Sequence, residues 1–143
     1  MRPPEQVKRE FVHQWLGKAS ADLKVSKHLP GGDADLYYAV AFHAQQAAEK
    51  FLKAILVWHQ VEFPKTHDIS RLLDLIRTAD APLSDLLSAA AALTPYGVEV
   101  RYPTDLPEPT REQAHGSASF ARLARRSGSS PSSPCSVPCR DSP

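Results

Sequence analysis

Cysteine is almost missing from this chain: only Cys135 and Cys139 occur in 143 residues, spaced C-x3-C near the end. With no second ligand pair, that spacing makes neither a zinc site nor a redox motif, so the thiols read as incidental and neither a metal nor a cofactor is expected. Charge of one sign is missing too, since 17 Lys and Arg face 16 Asp and Glu. No global field draws the chain to nucleic acid, and any such surface must be local. Long apolar runs are also absent. No stretch approaches the roughly 20 apolar residues needed to cross a bilayer, and the opening MRPPEQVKRE lacks the apolar centre of an export signal. A cytoplasmic protein without membrane association is expected. Glycine is sparse and forms no P-loop or phosphate cradle, and neither a Ser-His-Asp order nor a metal-ligand cluster occurs, which argues against a nucleotide hydrolase or metalloenzyme acting alone.

What is present is helical periodicity. The length suits one domain able to bury a core without staples, and composition breaks once, near Arg126. Residues 1–126 read as the folded domain. From Ser127 the run SGSSPSSPCSVPCRDSP has no periodic apolar residue to offset the entropy of ordering, so residues 127–143 read as a disordered Ser/Pro-rich tail. Within the domain, Val12, Trp15, Leu16, Ala19, Leu23 and Ser26 share one helical arc, which LPGGD stops. A second segment, about Ala34 to Gln60, collects Tyr37, Ala41, Ala44, Ala48, Phe51, Leu52 and Ile55 on a face broad enough for the central helix of a bundle. Thr66 or Asp68 caps a third segment with Ile69, Leu72, Leu73 and Ile76. A fourth holds Leu83, Leu86, Leu87, Ala90 and Leu93 and should end near Pro95, with TPYGVEVRYPTDLPEP irregular after it. Thr110 and Gln113 announce a last helix by capping-box spacing. An all-α, four- or five-helix up-and-down bundle is the economical fold.

The polar residues of the second segment form two rows. Gln45, Glu49 and Lys53 recur at i, i+4 and i+8, with His43, Gln46 and Lys50 beside them, all away from the apolar arc. Their plainest reading is a solvated face laced by Glu49–Lys53 pairing. The functional reading is a polar cleft shared with the helix start at KTHD, where Lys65, His67 and free backbone N–H groups would meet phosphate. His67 has a plainer role as well, in a first-turn hydrogen bond. His28 and His59 sit where helices close, and suit the negative end of a helix dipole.

Three stretches in order, DLYYAVAFHAQQAAEKFLKAIL, PKTHDISRLLDLI and LTPYGVEVRYP, resemble the HEPN family, the nucleotide-binding domain of higher eukaryotes and prokaryotes, over roughly Phe11 to Ala121. The resemblance implies a helical bundle that forms homodimers. It also implies binding of nucleotide or RNA and pairing with a minimal nucleotidyltransferase in toxin–antitoxin systems. With the polar rows and KTHD read as a cleft and RYP matching the family's cleft-lining motif, His43, Gln46, Lys50, Lys53, Lys65, His67, Arg101 and Tyr102 are the candidate nucleotide contacts. For Arg101 and Tyr102 in RYP the chemistry is a guanidinium that grips phosphate and a phenol that stacks on a base; the structural alternative is a buried pair and a core ring. Other relatives are metal-independent ribonucleases with an R-x(4–6)-H pair. Here Arg111 and His115 fall one residue short of that spacing, and Arg101 is cut off from His115 by a proline-rich loop. A cation and an acid–base group must converge on one phosphate, so the shortened pair supports a ribonuclease only as a degenerate alternative. A third alternative is a structural helical adaptor. The leading expectation is a non-catalytic module that binds nucleotide or its nucleotidyltransferase partner.

Overall fold

The computed structural model describes Met1, residues 3–29, 33–98 and 109–116, and every regular element among them is helical. α1 spans Pro4–His28, α2 Tyr37–Trp58, α3 Ile69–Ala79, α4 Ala81–Leu87 and α5 Pro95–Val98, with a short α6 at 111–116. Arg101, Tyr102, Cys135, Cys139 and the 127–143 tail lie outside the described residues.

α1 and α2 are the long pair, of 25 and 22 residues, about 35 Å each at the helical rise. They run antiparallel, as the cross-contacts show. Lys8 lies over the Trp58 ring, Lys53 over the Trp15 ring, and Asp22 meets Lys50 and His43, so numbering rises on one helix as it falls on the other. Ala19 and Leu23 of α1 pack on Ala47, Ala48, Phe51 and Leu52 of α2, where alanines let the two axes approach. α3 closes the core from another side through Ile69, Leu72, Leu73 and Ile76. α2 is therefore wrapped on several sides, and every residue from Phe51 to Leu56 is buried. A helix so enclosed has no wide wet face left.

The ends of these helices follow local chemistry. A 3-10 turn at Ala34–Leu36, capped by the Asp33 carboxylate, leads into α2 in place of the α-helical start expected at Ala34. At the far end Gln60 takes a positive φ of 58°, with Val61 N–H bonded to the Leu56 carbonyl and Gln60 N–H to that of Val57. That is the Schellman pattern, made with glutamine where glycine is usual. Asp68 caps α3 by accepting from Ser70 and Arg71 N–H, and Asp80 ends α3 and caps α4 through Leu83 N–H. Thr110 and Gln113 exchange both bonds of a capping box at 2.9 and 3.3 Å.

The fourth segment differs from its expectation. α4 ends at Leu87, and the chain tightens into a 3-10 helix at Ser88–Leu93. With three residues per turn, Leu87, Ala90 and Leu93 eclipse one another and are all buried, whereas Leu86 is turned out and 58% exposed. Pro95 opens α5, where the missing N–H costs nothing, in place of the irregular start expected there, and the rest of that stretch, 99–108, lies outside the described residues.

Candidate functional site

The i, i+4, i+8 row on α2 lies inside the protein. Gln45, Glu49 and Lys53 are 0%, 3% and 7% exposed, which corrects the reading of this row as a solvated face. The wheel of α2 places them away from its own apolar arc, but the 61–68 connection and α5 lie across that side. Burial of this kind is tolerable only with complete pairing. The pairing is complete: among the described residues no buried side-chain nitrogen or oxygen lacks a partner.

Glu49 is the centre of the network. Its Oε1 accepts from Lys53 Nζ at 2.7 Å, and its Oε2 accepts from Gln45 Nε2 at 3.2 Å and from His67 Nδ1 at 3.0 Å. Since a carboxylate only accepts, His67 Nδ1 carries a proton. The same donors also reach the loop backbone. Lys53 Nζ donates to the Thr66 carbonyl at 3.0 Å, and Gln45 Nε2 to the His67 carbonyl at 3.3 Å. Gln46 Nε2 completes the Gln45 amide by donating to Oε1 at 2.8 Å. His67 is the one outward member, with its side chain 51% exposed.

A glycine makes room for this arrangement. A Cβ added at Gly97 would stand 2.6 Å from the Gln45 amide, so the missing side chain lets α5 lie on α2 with that amide where it is. Sequence reasoning passed over Gly97 and gave Gln45 and Glu49 no site role. The signal for Glu49 was present, in an acidic residue one turn from a lysine within an alanine-rich helix, but nothing in it announced burial.

The neighbouring row ties the two long helices. Asp22 of α1 accepts from His43 Nδ1 at 3.0 Å through Oδ1 and from Lys50 Nζ through Oδ2. His43, Lys50 and Lys53 therefore have their polar heads engaged with carboxylates. Lys65 is exposed and forms no ion pair among the described residues. The N–H groups expected to be free at the start of α3 are taken: Ile69 donates to Thr94 Oγ1, Ser70 and Arg71 to the Asp68 carboxylate, and Leu72 to the Asp68 carbonyl. With an anionic side chain already seated there, that helix end is closed to phosphate. Arg111 and His115 are exposed one turn apart on α6. His28 Nδ1–H donates to the Lys24 carbonyl at 2.7 Å at the end of α1, a capping role as expected.

An antiparallel pair of long helices, closed by shorter ones over a buried polar row, defines a helical bundle domain with no helix among the described residues long and apolar enough to cross a membrane. The HEPN domain model matches residues 12–126, and the chain belongs to that family of helical nucleotide-binding and ribonuclease-type domains. No curated protein and no solved structure matches the chain.

Proposed function

We propose that this chain is a nucleotide-binding HEPN module, not a catalyst, whose ligand surface is built on Lys65 and His67. One observation carries the reading: a half-exposed imidazole and the loop that bears it are fastened to a buried polar row at Glu49, Gln45 and Lys53. Apolar residues of similar volume usually serve a core at least as well as a buried ion pair. Here the polar row lies under one loop, and it orients a histidine two residues from an exposed lysine. Such a pair suits a nucleotide, with ammonium for phosphate and imidazole for a directional hydrogen bond. His43, Gln46, Lys50 and Lys53 then serve as framework, since Asp22, Gln45 and Glu49 already hold them. Arg101 and Tyr102, outside the described residues, remain candidates by residue type for a phosphate grip and a stacking ring. The family resemblance supports a homodimer, and a minimal nucleotidyltransferase partner in a toxin–antitoxin pair.

Thermal unfolding with each of the four ribonucleoside triphosphates and a short single-stranded RNA tests this. Ligand at a hundredfold over Kd adds about 2.7 kcal/mol, a rise of several degrees. His67→Ala and Lys65→Ala should lose that rise, and Lys65→Ala should melt like the parent without ligand. The exposed Arg111 and His115 favour a second reading as a ribonuclease. RNA cleavage in the same samples, abolished by His115→Ala, would put that reading first.

A further inference from the structure

We infer that Glu49 is a positioning residue for the nucleotide site: it fixes which nitrogen of His67 meets the ligand. The inference rests on the nucleotide-binding reading above and adds to it the identity of the ligand-facing atom. Nδ1–H is held by Glu49 Oε2 at 3.0 Å, so Nε2 is the nitrogen left for a ligand in either charge state of the ring. Glu49 is itself held on both oxygens. It is 3% exposed, Lys53 donates to Oε1 at 2.7 Å, and Gln45 shares Oε2 with His67 at 3.2 Å. Two further bonds, from Lys53 Nζ to the Thr66 carbonyl and from Gln45 Nε2 to the His67 carbonyl, fix the backbone that carries the ring.

A clasp that served only to hold the loop would be satisfied by those two carbonyl contacts. The third contact falls on a ring that is 51% exposed, and what it adds is orientation and a single proton position. A ring already oriented does not lose that freedom on binding, which is how an orienting partner contributes to affinity.

The test combines a spectroscopic reading with a titration on the full chain. Nitrogen-15 NMR of the imidazole groups, with His67 assigned by its loss in His67→Ala, reads the proton position directly. Wild type should show the proton on Nδ1, and a proton found on Nε2 alone overturns the inference before any variant is made. Glu49→Met with Lys53→Met removes the acceptor while keeping volume and charge balance, a replacement that buried ion pairs usually tolerate. That variant should lose the fixed Nδ1–H signature and bind the ribonucleoside triphosphates about tenfold more weakly, the size of one orienting hydrogen bond. Glu49→Gln with Lys53→Met keeps an oxygen for Nδ1–H and should restore both signature and affinity. If wild type binds a triphosphate and the double-methionine variant binds it equally well, the positioning role falls and the nucleotide site stands. If wild type binds none of the four, the nucleotide reading fails and the positioning role falls with it.

Discussion

Glu49 and Lys53 depend on each other at the level of single residues. Glu49→Ala leaves the buried Lys53 without its carboxylate and should destabilise the fold by about 3–5 kcal/mol in urea unfolding, and Lys53→Ala should cost less because Gln45 and His67 still donate to Glu49. The paired methionine replacement should fall within about 1 kcal/mol of wild type or above it. Gly97 gives a second residue-scale expectation. Gly97→Ala drives a methyl into a Gln45 amide that is itself bonded to Glu49, Gln46 and His67, and should cost about 1–3 kcal/mol. Adding Gln45→Ala should make the glycine change cheaper, a coupling that a double-mutant cycle reads. The candidate contacts were visible in the sequence as residue types: His43, Gln46, Lys50, Lys53, Lys65 and His67 all stand out there. Their division into framework and surface was not. A helical wheel shows only the helix it is drawn on, and the chain that covers Glu49 comes from residues 61–68 and from α5.

Helix ends were the most readable elements. Asp68 before Ile69 and the Thr110–Gln113 pair act as their spacing predicts, because caps depend on neighbours within a turn. The change from α to 3-10 after Leu87 was hidden, since Leu83, Leu87, Ala90 and Leu93 fit either period and only burial decides between them. Pro95 misled for a related reason: a proline that ends one helix also suits the first turn of the next. The left-handed Gln60 offers a test at this scale. Gln60→Gly removes the Cβ strain and should raise stability by about 1 kcal/mol, seen as a rise of a few degrees in Tm, despite the entropy glycine adds to the unfolded chain.

On the scale of the whole molecule, the bundle was legible because α1, α2 and α3 each carry a continuous apolar stripe. The wrapping of α2 has two consequences. It makes a core of alanine and leucine on most sides, and it turns one polar row into an internal brace for the loop at Thr66 and His67. A ribonucleoside triphosphate bound at that loop should move its amide resonances, which chemical-shift mapping reads. Shifts concentrated at residues 65–69, lost in His67→Ala, are the predicted result. Shifts confined to α6 around Arg111 and His115, with residues 65–69 unmoved, would contradict it.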